Sequence, residues 1–129
     1  MVPILQVCMK VCIIDDNVSI TGLFSKFLKM EGHEVVVANG GREGLALLDN
    51  DVFDATILDI SMPEFSGIDI VDALNESGRI KEQKIIILTA SSASNEELGD
   101  LKNKGVREIL KKPIELDALV ASIEAVSKS

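Results

Sequence analysis

Two spacings of apolar residues alternate along the chain. Residues 11–14 form a short apolar run, after which Ile20, Leu23, Phe24, Phe27 and Leu28 recur every three or four positions as far as Gly32. The run predicts a buried strand, and the recurrence predicts one face of a helix with the glycine as its stop. The alternation then repeats. Glu34–Ala38 is short and β-branched, and 41–49 is helical with Leu45 and Leu48 on one face. Residues 53–58 predict a third strand, and Ile68, Val71 and Leu74 a third helix that ends near Gly78. Residues 84–89 contain "IIIL", apolar without alternation, as expected of a strand covered on both faces. Leu98 and Leu101 mark a fourth helix stopped by Gly105, 107–110 a fifth strand, and Leu116, Leu119, Val120 and Ile123 a fifth helix.

Five strand–helix units with short connections imply parallel pairing through right-handed crossovers, with helices on both faces of the sheet. The expected fold class is therefore α/β, a three-layer sandwich around a five-stranded parallel sheet. No linker, low-complexity stretch or second unit interrupts the pattern. A chain of 129 residues suits one domain that buries roughly two thirds of its unfolded surface. With four Phe, no Trp and no Tyr, the core must be aliphatic.

Charge and cysteine usage narrow the class. A formal net charge of −8, spread along the chain, argues against nucleic acid as a direct partner, because phosphates are neutralised by Lys and Arg. Cys8 and Cys12 do not make a disulfide framework, and on one strand they would lie roughly 13 Å apart. They are expected to be reduced core residues of a cytoplasmic protein. No apolar stretch reaches the roughly 18 residues of a membrane span, and the opening "MVPILQVC" lacks the basic segment and cleavage site of a signal peptide. "MKVCIIDDN" from Met9 reads as a natural start. Residues 9–128 are thus expected to form the domain, and 1–8 an N-terminal extension.

In an open parallel sheet, ligands bind beyond the carboxyl ends of the strands, where strand order reverses. The first strand ends in Asp15 and Asp16, the third in Asp59, the fourth in Thr89, and the fifth leads into Lys111, Lys112 and Pro113. The second ends in Asn39-Gly40, which reads as a turn alone. His33 lies in a turn far from these ends and reads as a surface residue. Taken singly, each polar residue has a structural reading: Asp15 and Asp16 as caps of the first helix, Asp59 as a cap of the next turn, Thr89 as a strand end, Lys112 as a solvated lysine. Their convergence at four strand ends argues for a site. Three neighbouring carboxylates raise one another's pKa values unless a cation neutralises them. An all-oxygen donor set suits Mg²⁺, and the lack of His or Cys at these ends argues against zinc.

"IIDDN", "LDISMP…G", "TA" and "KKP", in that order on those strand ends, resemble the receiver domain of two-component response regulators. The resemblance runs from about Met9 to Lys128 and implies the flavodoxin-like strand order 2-1-3-4-5. It also implies Asp59 as phosphoacceptor and Mg²⁺ ligand, Asp16 as a direct Mg²⁺ ligand, Asp15 as an acidic neighbour usually reaching the ion through water, and the Ser61 carbonyl as a further ligand. Thr89 matches the hydroxyl that hydrogen-bonds the phosphoryl group, and Lys112 the lysine that pairs with it. Lys112 fits better than Lys111, because strand alternation separates the two side chains and the motif lysine adjoins the proline through a bond that is typically cis. Ser61 and Ser91 fall at positions that tune phosphoryl lifetime in the family. One departure stands out: Ile109 occupies the place where many receivers carry an aromatic ring that swings inward. An aliphatic rotamer change or a loop shift is then left to carry the signal.

The function so implied is a phosphoacceptor signalling domain. It takes a phosphoryl group from a sensor histidine kinase or phosphotransfer protein onto Asp59 with Mg²⁺, and it changes a protein-binding face toward a downstream protein. It assists its own phosphorylation and dephosphorylation without being a turnover enzyme, as a monomer or weak dimer, with neither nucleic acid nor membrane as partner. The residues support this chemistry independently, since a carboxylate nucleophile beside a metal and an ammonium is what phosphoryl transfer needs. A Mg²⁺-dependent phosphohydrolase of the haloacid dehalogenase type would need a second carboxylate two residues after the nucleophile, where Ser61 stands, and a substrate cap. A flavodoxin-like FMN binder would need a Ser/Thr/Gly-rich loop after the first strand, where the chain reads "DDNVS".

Overall fold

A computed structural model describes residues 9–89 and 94–128; Cys8, the expected extension 1–8 and Ser91 lie outside the described residues. The strands are β1 (Lys10–Ile14), β2 (Glu34–Ala38), β3 (Ala55–Asp59), β4 (Ile85–Thr89) and β5 (Glu108–Lys111). The helices are α1 (Val18–Met30), α2 (Gly41–Asn50), α3 (Gly67–Ser77), α4 (Ile80–Gln83), α5 (Asn95–Lys104) and α6 (Leu116–Ser127). All strand pairs are parallel, and the order is β2-β1-β3-β4-β5, as the resemblance implies.

Strand alternation divides the core in two. Val11, Ile13, Ala55, Ile57, Ile86 and Leu88 face Phe24 and Leu28 of α1 and Leu119 and Ile123 of α6. Cys12, Ile14, Leu58, Ile85 and Ile87 face Leu48 of α2, Ile70, Val71 and Leu74 of α3, and Leu101 of α5. Every residue of β3 and β4 is buried, while the edge strand β5 is only half-buried. The Cys12 thiol is free, and burial pushes its pKa up to about 12, which makes it an inert core residue. Among the described residues, no helix is long and apolar enough to cross a membrane.

The helix ends follow local chemistry. Asn17, not Asp15 or Asp16, caps α1: its side-chain oxygen accepts the N–H groups of Ser19 and Ile20 at 3.0 and 3.3 Å. Ser66 and Asp69 form a capping box on α3, and Ser94 caps α5. Gly32, Gly78 and Gly105 follow α1, α3 and α5 in the left-handed conformation, as their spacing predicts.

Three expectations need correction. β3 begins at Ala55, not at residue 53, because Asp54 turns its carboxylate to the Lys10 N–H at 2.8 Å while its own N–H reaches the Lys10 carbonyl at 2.8 Å. β5 runs one residue later than expected, through Lys111. The unpredicted α4 exists to place Gln83. The buried Gln83 amide donates to the carbonyls of Leu48 and Asp51, each at 2.7 Å, and its oxygen accepts from the Phe53 N–H at 3.4 Å. It thereby satisfies the end of α2, where Arg79 adds a further donor to Leu48 at 2.8 Å. Gln83→Leu should cost about 2–3 kcal/mol, because it removes the acceptor of the Phe53 N–H and leaves the Leu48 and Asp51 carbonyls with Arg79 as donor in place of two. A urea titration should show a lower midpoint at an unchanged slope; an unchanged midpoint would refute the role given to this side chain.

Candidate functional site

The carboxyl ends of β1, β3, β4 and β5 meet at one edge of the sheet. Asp15 directly follows β1, and its N–H still pairs with the Ala38 carbonyl at 3.1 Å, so its backbone is held as firmly as the strand. Its carboxylate accepts the Asn17 N–H at 2.9 Å. Asp59 is the last residue of β3, inside the strand and not just beyond it. Asp15 is 1% exposed and Asp59 4%, while Asp16 is exposed. One carboxylate oxygen from each of the three lies within 4.8 Å of the others. Thr89 ends β4 fully buried, and its carbonyl accepts the Lys112 N–H at 2.8 Å. The Lys112 ammonium stands 3.3 Å from Asp59 Oδ1 and 3.4 Å from Asp15 Oδ2. Lys111 is exposed, and the Lys112–Pro113 bond is cis. The topology thus brings Asp15, Asp16, Asp59, Thr89 and Lys112 together; exposed Ser61 follows Asp59 in the β3–α3 loop, and its N–H points at Asp59 Oδ1 from 3.4 Å.

Three carboxylates against one ammonium leave the edge strongly negative. Burial first, and then the charge of Asp15, hold the Asp59 carboxyl above the ordinary carboxylate range, although Lys112 and the Ser61 N–H pull the other way. For Lys112 the largest single effect, burial, lowers the pKa, but the charges and hydrogen bonds of Asp59 and Asp15 outweigh it and the net direction is up. A hard divalent cation fits this donor set: all donors are oxygens, two of the acids are buried, and the remaining charge is uncompensated by protein.

Sequence reasoning missed several supports. Gly67 opens α3 against the end of β3. A Cβ there would lie 2.5 Å from the Asp59 carbonyl oxygen and 2.8 Å from Ile60 Cα, so only glycine lets α3 start where the capping box sets it. Asn39 is more than a turn residue, because its side chain accepts the Thr21 hydroxyl at 3.0 Å and ties the end of β2 to α1. His33 stays far from the site, as expected, but its Nδ1 accepts the Met9 N–H at 3.1 Å and so fixes the entry to β1.

Comparison with known proteins agrees with this geometry. A family model for the response regulator receiver domain matches residues 11–124. The chain belongs to that family. Transcriptional regulatory protein CpxR of Escherichia coli K12 is 35% identical over 91% of this chain and 48% of its own length; response regulator MprA of Mycobacterium leprae is 30% identical over 92% and 50%. The chain therefore spans about half the length of the curated relatives it matches. Among solved structures, the Vibrio cholerae chemotaxis protein CheY4 has a TM-score of 0.82 at 32% identity, covering 93% of this chain and 99% of that one. The signal receiver domain of a Luxo repressor protein from Vibrio parahaemolyticus has a TM-score of 0.85 at 27% identity, covering 95% and 92%. Receiver domains are the phosphoacceptor signalling domains of two-component systems, and they generally bind Mg²⁺ at an acidic pocket.

A pH-dependent stability difference follows from Asp59. Its folded pKa lies above the ordinary 3.8, so the native state holds that proton more tightly than the unfolded chain does. Stability then falls as pH rises from the ordinary value through the raised one. With chelator present, Asp59→Asn should gain stability relative to the parent across that window and hold the gain above it. A constant difference between the two urea midpoints from pH 3 to pH 7 (about the span of interest) would contradict the assignment.

Proposed function

We propose that Asp59 accepts the phosphoryl group from the phosphohistidine of a sensor histidine kinase or phosphotransfer protein, and that Asp15, Asp16, Asp59 itself and the Ser61 carbonyl hold the Mg²⁺ that assists the transfer. The observation that carries this reading is a cluster of three aspartates, two of them buried, in which one lysine touches both buried members. An Asp59 carboxylate oxygen forms a bond to phosphorus while the phosphorus–nitrogen bond of the donor breaks, and that bond's electron pair stays on the imidazole. The product is an acyl phosphate. Lys112 and the Thr89 hydroxyl offer charge and a hydrogen bond to the phosphoryl oxygens from fixed strand ends. Mg²⁺, when bound, neutralises part of the negative charge that gathers on the transferring group. Ser61 is small and exposed, which leaves room for water to hydrolyse the acyl phosphate, so the domain assists its own dephosphorylation without turning over a substrate. A groove of about 440 Å³ beside Lys112, walled by Ile20, Leu23, Phe24, Pro113 and Ile114, offers the donor protein an apolar surface.

Output falls to the face of α5, β5 and α6. α5 buries one side chain, Leu101, and a Lys104–Asp72 pair at 2.6 Å ties it to α3. So lightly anchored an element shifts its population readily. Its partner is a downstream protein, with residues 9–128 as the functional domain, in the cytoplasm, as a monomer or weak dimer. A phosphohydrolase reading has no comparable support, since Ser61 stands where the second acid is required.

Two measurements test the site. Asp59→Asn should abolish adduct formation with acetyl phosphate by intact-mass spectrometry while keeping the native circular dichroism spectrum; labelling at the parent rate would disprove the acceptor. Millimolar Mg²⁺ should raise the melting temperature of the parent more than that of Asp16→Ala, because binding to the native state alone stabilises it. Equal shifts would remove Asp16 from the metal site.

A further inference from the structure

The β3–α3 loop carries Ser61, and the proposed metal site needs that loop in one place. Its C-terminal end is fixed by Gly67, which packs on the Asp59 carbonyl. Phe65, two residues before Gly67, is held from a different element. Gly41, the first residue of α2, approaches Phe65 so closely that a Cβ would sit 1.9 Å from the Phe65 carbonyl oxygen, 2.8 Å from its carbon and 3.0 Å from Phe65 Cβ. The next residue, Arg42, places its guanidinium 4.9 Å from the centre of the Phe65 ring. Phe65 is itself half-buried against the core, and its N–H reaches back to the Pro63 carbonyl at 2.7 Å.

The first turn of α2 thus grips one residue by its carbonyl and by its ring. We infer that Gly41 and Arg42 are positioning residues for the metal site: they act through Phe65 to set where the loop bearing Ser61 lies. The contact differs in kind from ordinary core packing. A methyl group at Gly41 meets backbone, which cannot rotate away, so the loop must move by more than an ångström's fraction to admit it. Groups that orient metal ligands from outside the ligand shell typically change affinity by ten- to a hundredfold when lost.

This inference rests on the Mg²⁺ reading above, and calorimetric titration of the full chain with MgCl₂ separates the two. Parent and Asp16→Ala come first: if the parent binds no Mg²⁺, or Asp16→Ala binds it equally well, the metal reading itself fails. Given a parent site that Asp16→Ala abolishes, Gly41→Ala should weaken Mg²⁺ binding about tenfold. Leu48→Ala, at the buried far end of the same helix, lowers the melting temperature and should leave the dissociation constant alone. Arg42→Ala provides a variant whose exposed side chain is not needed for folding, and its sign is diagnostic. Loss of a nearby positive charge by itself would tighten cation binding, whereas loss of the grip weakens it two- to threefold (about 0.5 kcal/mol by the factor-of-ten conversion), and Arg42→Lys restores it. Unchanged or tighter binding in Arg42→Ala, or a Gly41→Ala constant within twofold of the parent, overturns the proposal; should Gly41→Ala not fold, Arg42→Ala decides alone.

Discussion

Lys112 reaches two carboxylates that belong to strands other than its own or its neighbour's. It leaves the end of β5, passes the end of β4, and stands within 3.4 Å of oxygens on Asp59, the last residue of β3, and on Asp15 beyond β1, a partner 97 residues away in sequence. No local preference places an ammonium there. The parallel sheet does, because every strand must point the same way and the edge strand must keep register with β4 up to the Thr89–Lys111 pair. The Thr89 carbonyl then takes the Lys112 N–H, which extends the ladder by one more bond before the chain turns at Pro113. Site geometry is therefore a consequence of strand register.

That constraint explains how an aliphatic core tolerates the site. β1, β3 and β4 are buried along both faces, and their charged residues Lys10 and Asp59 stand at the ends where the strands stop, with Thr56 a buried polar residue inside β3. Ionised groups taken out of water lose several kcal/mol each unless a partner compensates, and here a single lysine is shared by the two buried acids, with Asp16 exposed beside them. Burial and, after it, the neighbouring charge of Asp15 therefore weigh on one edge of the domain, and the raised carboxyl of Asp59 is their signature. The rest of the fold must supply the stability that this edge withholds. Gln83, wholly buried and bonded to three backbone groups, is one place where it does so, at the opposite end of the sheet.

The elements with strong periodicity were legible because burial on both faces writes itself as a continuous apolar run, as in "IIIL", and because glycines fall where helices end. The acids and the lysine were legible for a topological reason: a parallel sheet makes strand ends converge. What stayed hidden was non-local. α4 is four residues long and has no period to detect. Phe53 and Asp54 look like strand, yet Asp54 spends its carboxylate on the Lys10 N–H. Gly67 reads as a motif letter and Gly41 as a helix start, while their meaning lies in the backbone that approaches each from another element. A glycine's neighbours through space leave no mark in its neighbours along the chain.

The absence of a ring at Ile109 fits the mechanics of the edge strand. Ile109 pairs in register with Ile87 and packs on the α2–α3–α5 side of the core, whereas Leu110 packs on the α1–α6 side. A side-chain flip at Ile109 would trade one aliphatic surface for another and move little. Backbone displacement is a different matter, because β5 is half-buried and bonded on one edge only, to β4. Under the proposed function, a pull on Lys112 by a new phosphoryl group would be applied at the end of that strand, one residue beyond its last ladder partner. It meets less resistance there than at any strand in the sheet's centre, where each neighbour is paired on both sides. With α5 resting on Leu101 and a half-buried ion pair, two lightly anchored elements, α5 and β5, follow one another in sequence and lead into the lysine. A small shift of the strand end, spread over that face, is the response such an arrangement gives in place of a switching ring.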